Sequence, residues 1–78
     1  MNEYDNLRRM SRMLCDWQRH RDLDDEFIGN IIGCSGRTWS RRKREPENLT
    51  VSEYWRIVKA LRIPAQEASD AILSGITE

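Results

Sequence analysis

Seventy-eight residues suffice for one small domain, so the expectation is a single unit over 1–78 with a modest core. No run of about 18 apolar residues occurs, and the start MNEYDNLRRM lacks the basic and apolar blocks of a signal peptide, so neither a transmembrane helix nor a secretory leader is expected. Thirteen Lys and Arg balance thirteen Asp and Glu, so any charged surface must arise from local clustering.

Apolar residues recur at helical spacing, and no stretch alternates like a strand. The first helix is expected over Glu3 to Arg19. Its Leu7, Met10, Met13, Leu14 and Trp17 share an arc of about 120°, with Arg8, Arg9, Arg12 and Asp16 opposite. Cys15 and Cys34 stand 19 positions apart with no C-x-x-C pair, so neither zinc spacing nor a disulfide framework is present and both thiols are expected reduced. The only histidine, His20, falls at the end of this helix.

The second helix starts within DLDDEF, capped by Asp22 or Asp24. Phe27, Ile28, Ile31 and Ile32 form its buried side. Gly29 sits mid-helix at a cost of about 1 kcal/mol relative to Ala, which points to another helix crossing closely there. Gly33 ends the helix, where a positive φ favours glycine. Ser35 caps a third helix, which stops near Arg44 because Pro46 disfavours helix before it. Trp39 is its only apolar anchor, so it needs tertiary contacts to hold.

Thr50 and Glu53 form a capping box for the fourth helix, with Leu49 and Tyr54 spaced for the hydrophobic staple. Val51, Tyr54, Trp55, Val58 and Leu61 share an arc of about 120°, and Trp17 and Trp55 are core candidates. A fifth helix follows Pro64, with Ala65, Ala68, Ile72 and Ile76 along one side and Gly75 as its stop. The fold class is all-α, a compact five-helix bundle in which each helix buries one stripe against the others.

The stretch GCSGRTWSRRKREP, Gly33 to Pro46, places five cations within the eight residues from Arg37 to Arg44. The two helices around its turn make a helix-turn-helix: Gly29 permits a close crossing and Gly33 lets the chain reverse. If Trp39 faces inward, the wheel turns Arg37, Ser40, Arg41 and Arg44 outward within about 100°. A cationic face on a neutral chain suits a polyanion touched at one surface, although a solvated face has the same composition.

These residues carry a family resemblance. DDEFIGNIIGCSGRTWSRRKREPENLTVSEYWRIVKALRIPAQEASDAIL, Asp24 to Leu73, resembles the lambda-repressor-like DNA-binding domains of the Cro/CI or XRE type. The matching features are Gly29 and Gly33 four apart, apolar Cys34 after the turn glycine and a Ser-initiated helix over Ser35 to Lys43. Pro46 then stands in the following turn, and Thr50 to Glu67 match the downstream helices. The motif lies at about 24–44.

The resemblance implies a lambda-repressor-like fold with the third helix in the major groove of double-stranded DNA. It implies a small transcriptional regulator of the prophage kind, a repressor by preference, in the cytoplasm of a bacterium or encoded by a phage. A domain this small gains little from one half-site, so a homodimer on a two-fold operator is expected. The dimer surface would be helix five with Ile72 and Ile76, or helix one, with preference for the former. No cofactor, metal, membrane or small-molecule substrate is implied.

Ser35, Gly36, Arg37, Ser40 and Arg41 are the expected base-reading residues. An arginine can bond guanine O6 and N7 together, worth about 1–3 kcal/mol in discrimination, and Gly36 would admit close backbone approach. Thr38, Arg42, Lys43 and Arg44, with Asn48 and Thr50 from the next turn, are the expected phosphate contacts, which set register. Two departures stand out. Asp25 occupies the place of a family Gln that helps hold a phosphate. Trp39 replaces a smaller apolar residue, with Arg42 where an aromatic is usual, so Trp39 is expected to fill both packing roles.

One histidine, no nucleophile beside a base and no phosphate-cradling loop leave no catalytic set, so an enzyme is not expected. The acids Asp22, Asp24, Asp25 and Glu26 lack the ligand spacing of a calcium loop. The competing reading is a protein-binding module on the same fold, antitoxin-like or a phage-encoded inhibitor. Asp25, the neutral charge and the long first helix favour it.

Overall fold

Three of the helices end in the same way, and those ends set the topology. The computed structural model describes residues 3–73, with side chains over residues 7–71. Its helices are α1 (Glu3–His20), α2 (Asp25–Ile31), α3 (Gly36–Arg42), α4 (Val51–Leu61) and α5 (Ala65–Leu73), with a 3-10 turn at Pro46–Asn48 between α3 and α4. No strand occurs among the described residues. The radius of gyration, 11.7 Å, equals that of a compact domain of this length, about 11.5 Å.

After α1, α2 and α4 the chain passes through the left-handed region at Asp22 (φ 58°), Gly33 (φ 77°) and Arg62 (φ 58°). At each end the next residue donates back across the turn: Leu23 N–H to Gln18 O (3.2 Å), Cys34 N–H to Gly29 O (2.8 Å), Ile63 N–H to Val58 O (3.1 Å). The residue before it closes a shorter loop, as Asp22 N–H does to Arg19 O at 3.1 Å. These paired bonds satisfy carbonyls that the helix leaves unpaired. Asp22 is therefore a helix stop, and Asp24 is the cap of α2, accepting from Phe27 N–H at 2.8 Å.

The capping box of α4 forms as expected: Thr50 Oγ1 accepts from Glu53 N–H, and Glu53 Oε1 accepts from Thr50 N–H, both at 3.0 Å. α1 is then bound to the other end of α4. Arg21 lies over the Trp17 ring at 5.0 Å and donates to Leu61 O (2.8 Å) and Arg62 O (3.1 Å). The Trp17 indole donates to Glu67 Oε2 on α5 at 2.9 Å.

Leu14, Ile28, Trp39, Tyr54, Ile57 and Leu61 form the fully buried centre, surrounded by Met13, Ile32, Val58, Ile63 and Ala68. The expected stripes need correction at four positions. Phe27 is 50% exposed, Val51 68% and Trp55 36%, and Ala65 is exposed as well. On α4 the buried arc is shifted toward Ile57 and away from Trp55: Tyr54, Ile57, Val58 and Leu61 span about 100°, and Trp55 falls about 60° beyond it. α2 has seven residues and packs through Ile28 and Ile32, which leaves Phe27 on the outer side. Ala65 precedes the first α5 residue to reach the core, Ala68. The side chains of Ile72 and Ile76, and Gly75, lie outside the described residues.

The close approach expected at Gly29 is made by the turn itself. A Cβ there would lie 2.7 Å from the carbonyl oxygens of Cys34 and Ser35. Both cysteines are free and half-buried, and Cys34 packs against the core. None of the described helices is long and apolar enough to cross a membrane.

Candidate nucleic-acid interface

α3 is held by one side chain at its centre. Trp39 has no exposed surface, and its indole N–H donates to Gln18 Oε1 on α1 at 2.9 Å. A buried indole N–H needs such a partner, since leaving it unpaired costs about 1–3 kcal/mol. The start of α3 is fixed by Ser35, whose Oγ accepts from Thr38 N–H and whose O–H donates to Thr38 Oγ1, both at 3.1 Å. Gly36 is pressed against α2: a Cβ would lie 3.0 Å from Glu26 N and 3.1 Å from Glu26 Cα. The close backbone approach expected at Gly36 is thus used inside the chain.

Gln18 is the hub of a polar network that the sequence reading missed. It is 7% exposed. Its amide nitrogen donates to Leu23 O (3.0 Å) and Asp25 Oδ1 (2.8 Å). Lys43 Nζ donates to the same Asp25 oxygen at 2.8 Å. The Lys43 bond, then the Gln18 bond, holds the Asp25 carboxyl below its ordinary range, against the opposing effect of burial. The signal for Gln18 was its position four residues after Leu14, on the buried face of α1.

The expected phosphate contacts divide into two groups. Lys43 is committed to Asp25, and Arg42 to Glu53 at 3.4 Å. On the wheel Lys43 lies about 40° and Arg42 about 60° from Trp39, so both flank the buried side. Thr38 is tied to Ser35, the Asn48 amide donates to Glu45 Oε1 at 3.1 Å, and Thr50 caps α4. Arg44 remains exposed.

Arg37 and Arg41 are exposed, and neither side chain makes an ion pair or hydrogen bond with the described residues. With Gly36, Ser40 and Arg44 they line one open cleft between α3 and the start of α2. Ser35 caps α3 and does not line this cleft. Asp24, Asp25, Glu26 and Glu45 line the same cleft, so three arginines face four carboxylates, one of which Lys43 neutralises. The acids at the α2 start complement its helix dipole. Among the described residues no three His, Cys, Asp or Glu side chains are grouped to hold a metal ion.

No family model, curated protein or solved structure matches this chain.

Proposed function

We propose that this protein binds double-stranded DNA sequence-specifically, as a small transcriptional regulator of the lambda-repressor-like kind, with α3 in the major groove. The observation that carries the reading is the burial of Trp39 together with the exposure of unpaired Arg37 and Arg41 on the opposite side of α3. Arg37, Ser40 and Arg41 read base edges, and Arg44 takes a phosphate. Arg42 and Lys43 position α3 through Glu53 and Asp25. A homodimer on a two-fold site supplies the affinity that one half-site lacks, and repression follows from covering a promoter.

Sites selected from a random DNA pool, followed by gel shift of wild type and Arg37→Glu/Arg41→Glu, test this. The expected result is an enriched site, bound by the wild type with steep salt dependence and lost in the double variant at unchanged melting temperature. Unchanged binding by the folded double variant overturns the assignment of the α3 face.

The acids on the cleft favour a second reading, a protein-binding module that takes a basic segment of its partner beside Asp24 and Glu26. Absence of duplex binding at low salt would select it.

A further inference from the structure

The cleft that α3 shares with α2 carries three arginines against three carboxylates left uncompensated by Lys43. Duplex DNA presents one negative charge per about 1.7 Å of axis, and affinity depends on net neutralisation of phosphates. A balanced cleft can discriminate bases but contributes little of that term. The cations that supply it must lie elsewhere on the same side of the molecule.

A second cleft meets this need. It lies between α1 and the turn after α3, and Leu7, Arg8, Ser11, Arg12, Arg44 and Glu47 line it. Arg12 and Arg44 are exposed cations here with no ion pair among the described residues, and Glu47 is the one carboxylate of the lining. Arg44 lines both clefts, so the cationic strip continues from Arg37 and Arg41 through Arg44 onto α1. Its geometry is tied to α3: the Ser11 hydroxyl donates to Lys43 O, at the end of α3, at 2.7 Å. α1 also packs on the Pro46–Asn48 turn. Arg12, the next residue after Ser11, is exposed and makes no ion pair with the described residues.

We propose that Arg12 and Arg44, with Arg8 beside them, form a phosphodiester seat on α1, outside the helix-turn-helix, that holds the duplex backbone next to the segment α3 reads. This rests on the DNA-binding reading above. The seat neutralises backbone charge without contacting bases, so it adds affinity on every sequence.

The test is the salt dependence of binding to a random-sequence duplex, for wild type, Arg12→Gln, Arg12→Lys and Arg19→Gln. Arg19 is an exposed cation at the far end of α1 and serves as the control. Loss of one phosphate contact per protomer should flatten the slope of log affinity against log salt by about 0.9 for each bound protomer, about 1.8 for a bound dimer, in Arg12→Gln. Arg12→Lys and Arg19→Gln should stay near the wild type, and all four should melt alike. The Arg12→Gln difference should persist in phosphate buffer at matched ionic strength. Its disappearance there assigns the seat to free phosphate and overturns the proposal. Equal slopes for Arg12→Gln and wild type, or an equal drop in Arg19→Gln, overturn the seat while leaving DNA binding standing. A wild type that binds no duplex at low salt overturns both.

Discussion

The Trp39 indole N–H reaches Gln18 Oε1 at 2.9 Å, and this bond joins the centre of α3 to the first helix of the chain. Gln18 spends its amide nitrogen on Asp25, and Asp25 binds Lys43 at the end of α3. The short helix is thereby held at its middle and its C-terminal end by one connected set of side chains. Its outer side is left to the arginines.

Replacing Gln18 with Met preserves volume and removes both ends of this relay. The Trp39 N–H is then buried without an acceptor, and Asp25 loses a donor. The expected cost is about 1–3 kcal/mol, read from the urea midpoint. Duplex affinity should fall as well, because α3 loses its anchor. A Gln18→Met protein as stable as wild type would show that the indole finds another acceptor.

Asp25 makes stability depend on pH with a definite sign. Its folded-state pKa is depressed, chiefly by Lys43. The stabilisation is complete above the unfolded-state value, about 3.9, and is lost as pH falls through the folded-state value. Urea midpoints of wild type and Asp25→Asn, compared over roughly pH 2–7, should differ most near neutrality and converge in acid. A constant gap across that range would remove Asp25 as the cause.

Gly29 and Gly33 should respond differently to alanine. At Gly33 the space is open, and only the positive φ opposes a side chain, at about 1–2 kcal/mol. At Gly29 the new methyl would overlap two backbone carbonyls at 2.7 Å. Neither carbonyl can rotate away as a side chain would, so the cost should reach about 3 kcal/mol or more. Thermal melts of the two variants check the order. Equal costs would show that the turn can move aside.

Local rules made much of the fold legible. The capping box at Thr50 and Glu53, the cap at Ser35 and the glycine stop at Gly33 are contacts between near neighbours in sequence, so residue type and spacing suffice to predict them. The inward face of α3 followed in the same way, because Trp39 is its only large apolar residue. The misplaced stripe residues, Phe27, Val51 and Trp55, mark where such rules stop. Periodicity gives the width of an apolar arc, and the neighbouring helix selects which part of it is covered.

The charged residues show the same division. The sequence by itself determined five helices, their caps and a cation-rich third helix, since these depend on spacing along the chain. Tertiary structure alone decided that Arg42 and Lys43 turn to Glu53 and Asp25, that Asp25 is bonded to Gln18 and Lys43, and that Arg12 comes to line a cleft with Arg44. Each of these joins residues of two different elements, even where the chain separation is short, as for Gln18 and Asp25. A side chain's partner is set by which backbone passes beside it, and that follows only from the packing of the whole core.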